Sequence, residues 1–391
     1  MHHTMDRVLI VGAGAAGLLI AQVLKRENIP CTVFEQDPSF RPRDWNYGVY
    51  WAQSGLSECL PPELLDQLEN CQVDHHTPAA TDTLPGFNGK TGEKLVDVPA
   101  PYSLRLKRRK FLQLISTGLD IQRGKRLARI ESNNDIVTAF FEDGSQATGK
   151  LLIGAEGAHS RVREYLMGPE KAALKPSPVV SSIATPRLPV DVASAVRELH
   201  PRYCAVFHPD GYFCWVGIHN ETEDPAESEF LLLMSWISEN DTGLSGEAIL
   251  HDLKEKASHF AEPFRSVFET LAPGTKIWHS RLSYWETQPW DNHNGTLTLV
   301  GDAAHPMTFH RGQGLNNAIL DAASLSREIA NLQDKSPRAL RPALEAYEKE
   351  VLGRGREVVE SSNINSVSIH NWEELQNSPL FRMGLKKDAT A

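Results

Sequence analysis

The sequence predicts an α/β protein, α+β overall: a Rossmann-like parallel-sheet domain, an inserted antiparallel β-sheet domain, and a C-terminal helical tail. Three observations predict it. An apolar strand, a glycine turn and a helix follow one another at the start of the chain. Between about residues 178 and 285 the pattern changes to short alternating strands broken by turn residues. From Arg338 to about Gln376 it becomes helical, with Tyr347 and charged pairs four residues apart.

Val8 to Val11 is apolar throughout and runs into Gly12, Gly14 and Gly17, spaced G-x-G-x-x-G, then a helical run from Ala15 to Lys25. Gly12 permits the tight turn, Gly14 lets backbone approach a pyrophosphate, and Gly17 lets helix pack closely on strand. The helix start offers free N–H groups and a positive dipole end to phosphates. A second strand, Thr32 to Phe34, ends at Glu35, where a carboxylate accepts ribose hydroxyls. That acid favours a ribose without 2′-phosphate, hence FAD or NAD over NADP.

A Trp-rich segment, Arg41 to Trp51, follows, and Pro61-Pro62 opens a helix. Residues 75–101 are rich in Pro, Gly and Asp and read as loops or short strands. Phe111 to Gly157 returns helix, hairpin and strand, with Asp143-Gly144 as the hairpin turn. Leu151 to Ile153 closes on a second glycine turn, Gly154-Ala-Glu-Gly-Ala-His-Ser-Arg-Val-Arg163. In the middle region Val179–Ile183, Tyr203–His208, Tyr212–His219 and Phe230–Ile237 read as strands. Finally Leu297 to Val300 leads into Gly301-Asp302-Ala-Ala-His305, then Gly312-Gln-Gly314-Leu315-Asn316-Asn-Ala318 and a helix containing Asp321. Asp302 can accept from a ribityl hydroxyl, and the N–H groups from Gly314 to Asn316 can face an anionic flavin edge, which selects FAD over NAD. The organisation expected is therefore 1–74, 102–177 and 286–335 as FAD-binding domain, 75–101 and 178–285 as substrate domain, and 336–391 as C-terminal helical segment.

Charge and composition narrow the classes. A net charge of −10 and a pI near 5.9 disfavour nucleic acid or an anionic membrane as partner. Five cysteines, with no C-x-x-C pair, suit reduced thiols in the cytoplasm. Met1 to Arg7 lacks an apolar leader, and no apolar run reaches the ~18 residues of a membrane helix. His75-His76 is a loop pair without the spacing of a metal site, and no G-x-S-x-G elbow is present.

In this order and spacing the three glycine motifs resemble the single-component FAD-dependent monooxygenases of the para-hydroxybenzoate and salicylate hydroxylase type, including the short fungal enzymes of secondary metabolism. The resemblance spans about residues 5 to 370, and Gly301 to Ala318 is its most specific part. It implies bound FAD, reduction by NADPH or NADH at a transient site, and insertion of one oxygen of O2 into an aromatic or alkene-containing small molecule. It places the ribose acid on Glu35, the ribityl and pyrophosphate aspartate on Asp302, and an FAD-contacting arginine on Arg108 or Arg109. The helix end at Thr117-Gly118-Leu119 favours Arg108, with a solvated basic face as the plainer reading. Two departures stand out. Glu156 replaces the family's usual aspartate, and Phe309 stands where proline is usual, which keeps a flavin oxidase or reductase without oxygen insertion as the alternative.

Candidate substrate-side residues are fewer. Arg187 occupies the region where some relatives use an arginine to hold a phenolate, and Tyr212 offers a hydroxyl for proton transfer. Phe213, Trp215 and Trp236 are candidate pocket aromatics. Period two puts Tyr212 and Cys214 on one face and Phe213, Trp215 and His219 on the other, without saying which sees the flavin. His305 reads as a structural imidazole close to it.

Overall fold

The computed structural model describes residues 6–40, 44–75, 79, 81–133, 135–239, 243–336 and 339–385. The Met1 start, Arg41 to Arg43 of the Trp-rich segment, His76 and Arg338 lie outside the described residues.

Val8–Val11, fully buried, occupies the centre of a five-stranded sheet because both of its faces are covered. The order is Leu297–Leu299, Leu151–Gly154, Val8–Val11, Cys31–Glu35, Ile121–Arg123, all parallel. On one face lies the helix Ala15–Arg26, with Leu18, Leu19, Ile20, Val23 and Leu24 buried against the sheet and against the helix Gly314–Ala330. The other face carries a three-stranded antiparallel sheet, Gln146–Gly149, Ile136–Phe141 and Leu127–Asn133, through Leu9, Phe34, Val137 and Phe141.

A seven-stranded sheet stands opposite. Its order is Ile277–Tyr284, Lys175–Ala184, Glu229–Ile237, Tyr212–Asn220, Tyr203–Phe207, Thr83–Asn88, Lys94–Pro99. All pairings are antiparallel except Tyr203–Phe207 with Thr83–Asn88. The strand pattern of the sequence misses three helices here, Val190–Leu199, Glu247–Ala257 and Phe264–Glu269. They are required because alternate residues Cys204, Val206, Cys214, Val216, Leu232 and Met234 form an apolar outer face, which Val196, Leu253, Phe264 and Val267 cover.

The C-terminal region is less peripheral than a tail. The helix Arg341–Ser368 buries Leu344, Tyr347 and Val351 in the main core, and the Tyr347 hydroxyl donates to the Leu299 carbonyl at 2.9 Å. A last short helix, Pro379–Met383, packs Phe381 on Phe207. Among the described residues no helix is long and apolar enough to cross a membrane.

Candidate active site

The two large sheets enclose a cavity of about 1220 Å³. Its floor is the carboxyl end of the parallel sheet, at Val11, Phe34 and Ala155, the edge where open α/β sheets bind ligands. Its roof is the inner face of the seven-stranded sheet, at Ser181, Ile183, Phe213, Trp215, Leu231 and Leu233.

The half over the parallel sheet is built of backbone donors. Gly12 has φ +110°, a conformation L side chains avoid, and a Cβ there would collide with the Ala155 carbonyl. Gly14, at the N-terminus of the helix Ala15–Arg26, would place a Cβ no nearer than 4.0 Å to its surroundings, so its face is open to the cavity. No side chain caps that helix, which leaves its first N–H groups for an anion. Gly17 does not reach the cavity wall, because it is pressed against the Gly12 carbonyl. Glu35 does reach it, with Oε2 accepting from Ala13 N–H at 2.8 Å and Oε1 from Asp37 N–H at 2.9 Å. Its carboxylate is thus clamped at the cavity wall.

Arg108 lines the cavity, its guanidinium 4.5 Å from the Trp45 ring, whereas Arg109 does not line it and its backbone N–H donates to Asp44 Oδ1 at 3.2 Å. Glu156 also borders the cavity, but Oε1 accepts from Val162 N–H at 3.0 Å and Oε2 from the Ser160 hydroxyl at 2.8 Å. It thereby helps cap the helix Arg161–Met167. Burial raises its pKa, with those hydrogen bonds opposing.

The second donor cradle is Gly312 to Leu315 at the start of the helix Gly314–Ala330, again without a side-chain cap. Asp302 projects into the cavity beside it, open to that space while enclosed by protein. Burial and the nearby Asp321 raise its carboxyl pKa, against the pull of His305 and Arg163. The Gly301 turn is fixed from below: Asp321 accepts from Gly301 N–H at 2.6 Å, His305 Nε2 at 2.8 Å and Arg354 at 2.7 Å. His305 is accordingly a buried scaffold residue and does not line the cavity. The Asn316 side chain is likewise structural. Its Nδ2 donates to the Gly48 carbonyl at 2.9 Å and its Oδ1 accepts from Tyr50 N–H at 3.0 Å, tying helix to strand and facing away from the cavity.

The roof side is apolar and aromatic, with Tyr50, Phe213, Trp215, Met307, Phe309 and Leu385 around the buried guanidinium of Arg105; Arg163 and Arg311 are further buried arginines on the cavity wall. Its Nη1 donates to the Tyr50 hydroxyl at 3.3 Å, and its guanidinium lies 4.9 Å from the Trp215 ring. Sequence reading missed Arg105. The available signal was an arginine flanked by Leu104 and Leu106 in a short strand, overshadowed by the basic run that follows.

Both expected catalytic side chains lie elsewhere. Arg187 pairs with Glu227 at 2.6 Å with more than half of each side chain exposed, because a solvated edge is the cheaper place for an unburied guanidinium. Tyr212 falls on the outer face, against His208 and Phe260, since Phe213 and Trp215 take the inner one. Trp236 follows Tyr212, opposite it in register, into the outer core. Among the described residues no three His, Cys, Asp or Glu side chains group as metal ligands.

Comparison with known proteins gives concordant results. The FAD binding domain family matches residues 111–362, and the NAD(P)-binding Rossmann-like domain family residues 10–49. The chain is 63% identical over 383 residues to the FAD-dependent monooxygenase cctM of Talaromyces islandicus, covering 97% of each. It is 35% identical over 394 residues to the FAD-dependent monooxygenase phnB of Penicillium herquei, covering 98% of this chain and 96% of that one. Klebsiella pneumoniae HpxO, complexed with FAD and uric acid, shares the fold with a TM-score of 0.76 at 19% identity, over 98% of this chain and 95% of that one.

Proposed function

Because the chain belongs to the FAD-dependent monooxygenases, we propose that Arg105 selects an aromatic small molecule bearing an acidic oxygen for oxygenation in its cavity. The enzyme uses FAD, NAD(P)H and O2. The observation that carries the substrate reading is the burial of the Arg105 guanidinium among aromatic walls with the Tyr50 hydroxyl, and no carboxylate among the described residues, as its hydrogen-bond partner. A buried charge is costly unless paired, so an anionic or strongly polarised oxygen is the complement this wall asks for.

The cofactor's fit rests on the donor set. The uncapped N–H groups at Gly14 to Ala16 suit its pyrophosphate, the clamped Glu35 its adenosine ribose, and Asp302 its ribityl hydroxyls. Arg108 would add a cation for its phosphates, and the uncapped N–H groups from Gly312 to Leu315 would offer dipoles to an anionic ring edge. FAD supplies hydride acceptance from the nicotinamide and activation of O2. The protein's part is orientation and exclusion of water. Arg105 and Tyr50 hold the substrate's acidic oxygen, while Phe213, Leu231, Leu233 and Phe309 hold its rings and keep the compartment dry. Addition of one oxygen atom to the substrate then balances with oxidation of one NAD(P)H and release of one water.

Residues 1–74, 102–177 and 286–335 form the cofactor domain in this reading, with 75–101 and 178–285 as the substrate domain and 336–391 as a helical segment serving both. A cytosolic place in fungal secondary metabolism is supported by the free thiols of Cys31, Cys59, Cys71, Cys204 and Cys214 and by the fungal relatives. The test of function is a panel of hydroxylated aromatics, each with its methyl ether, assayed with isotopically labelled dioxygen. Substrate-dependent NAD(P)H oxidation and one labelled oxygen in the product, for the acidic members alone, supports the reading. Equal turnover of the ethers removes Arg105 from it.

A further inference from the structure

Beside the cavity, apart from the groups used above, two imidazoles lie in one buried chain of hydrogen bonds. His310, 9% exposed, lines the cavity; His370, 6% exposed, comes from the end of the long C-terminal helix. Ser235 bridges them, its hydroxyl 3.0 Å from His310 Nε2 and 2.9 Å from His370 Nε2. His310 Nδ1 lies 2.7 Å from the Ser366 hydroxyl, which lies 2.7 Å from that of Thr308.

Backbone carbonyls fix both ends. The Ser366 carbonyl, 2.6 Å from His370 Nδ1, can only accept, so that nitrogen carries a hydrogen. The Ser362 carbonyl likewise takes the Thr308 hydrogen at 2.8 Å. Four contacts remain between these ends, and each needs one hydrogen. With both imidazoles neutral only three are available, from Ser235, Ser366 and His310. One contact must set lone pair against lone pair, whichever tautomer His310 adopts. A single added proton completes the chain, seated on His370 with Ser235 donating to His310, or on His310 with Ser235 donating to His370.

Burial opposes that proton. It holds His310 well below the ordinary imidazole value, helped by the neighbouring His370, and lowers His370 to about 4 against the carbonyls of Ser366 and Ser235. The elements packed around His310 present Ser235, Phe213, Phe309, Ser366 and His370, with no carboxylate among these partners; Arg311 is its neighbour in sequence. The resting chain is thus neutral and one hydrogen short.

We propose that the His310–Ser235–His370 chain is a one-proton reservoir, taking a proton from solvent when negative charge enters the cavity and returning it when that charge leaves. No electron moves, and the proton resides on one of the two Nε2-linked imidazoles. The charge comes either from a substrate anion, which rests on the reading of Arg105, or from two-electron reduction of FAD, which does not.

Holoenzyme carrying nitrogen-15 histidine distinguishes these sources by NMR at pH 7. It is observed oxidised, then photoreduced without substrate, and separately oxidised with sodium 2-naphthoate. The expected result is a neutral pair in the first state and one shared imidazolium in at least one of the others, the arm identifying the source. A neutral pair in all three states, or an imidazolium in the resting enzyme, overturns the proposal. His370→Gln gives a second, fold-preserving test. Its amide N–H supplies the missing hydrogen to Ser235, so His310 is expected to stay neutral in every arm, while the variant gives up the bond to the Ser366 carbonyl and its folding equilibrium constant falls about fivefold. Charging of His310 in that variant as in wild type also overturns it.

Discussion

Gly48 and Arg105 face each other across a two-stranded antiparallel ribbon, and the missing side chain at Gly48 is what makes room for the guanidinium. A Cβ at Gly48 would lie 2.8 Å from Arg105 Nη1 and collide with the Tyr50 hydroxyl. Gly48→Ala is therefore expected to displace Arg105 and raise KM for an acidic aromatic, with FAD content unchanged. Arg105→Ala should weaken binding of that substrate ~10- to 100-fold, the worth of about 1.5–3 kcal/mol for a hydrogen bond to a charged group. Steady-state KM for the acidic compound and its methyl ether checks both; parallel changes for the two compounds would count against the assignment.

Glu35→Arg should yield folded, colourless protein. The substitution removes the acceptor for Ala13 and Asp37 N–H and puts a cation at the site proposed for the adenosine ribose. FAD bound per chain, read from visible absorbance after gel filtration, is the measurement. Asp302→Ala should weaken FAD by a smaller factor, on the order of tenfold, because the backbone cradle persists.

Arg187→Ala and Tyr212→Phe should leave the coupling of NAD(P)H oxidation to product within about twofold of wild type. The first breaks an exposed ion pair of little worth, and the second trims a hydroxyl on the outer face. A several-fold loss of coupling in either would restore a role near the reacting atoms.

Asp321→Asn should lower folding stability by about 3 kcal/mol, since it removes the charge opposite the buried Arg354 and turns one of the two carboxylate oxygens into an NH2 donor, so that either Arg354 or the Gly301 and His305 N–H groups lose that acceptor. Burial pushes the Asp321 carboxyl up, but His305 and Arg354 outweigh it and hold it well below 3.8. A depressed folded-state pKa contributes stability above the unfolded value and loses it as pH falls. Denaturant midpoints should accordingly drop below about pH 4 in wild type and do so less in the variant.

His370 adds an acid sensitivity of its own. Its folded pKa of about 4 against an ordinary 6.5 means the unfolded chain binds a proton first. Its contribution is present above pH 6.5 and is lost as pH falls toward 4. His370→Gln should flatten the stability profile in that window, and an unchanged slope would assign the sensitivity to other groups.

Legibility in the sequence followed the range of the interactions. Gly12, Gly14 and Gly17 act within one strand, turn and helix, so their spacing carries the geometry, and Glu35 follows one crossover later. Arg105 and Arg187 could not be ranked in this way. Which arginine is buried depends on Gly48 across the ribbon and on Glu227 beyond the sheet edge. Period two separated Tyr212 from Phe213 and Trp215 but not inside from outside, which was decided by the helices covering Cys214 and Met234. His370 lies far along the chain from Ser235 and His310, and its helix read as a tail.

The most direct test is a titration of the oxidised holoenzyme's flavin absorbance with 2-naphthol and with 2-methoxynaphthalene, in wild type and in Arg105→Met. If Arg105 holds the acidic oxygen, the naphthol perturbs the wild-type spectrum at concentrations at least ~10-fold lower than the ether does, and Arg105→Met abolishes the difference. Equal affinities in wild type, or a preference that survives in Arg105→Met, would contradict that role.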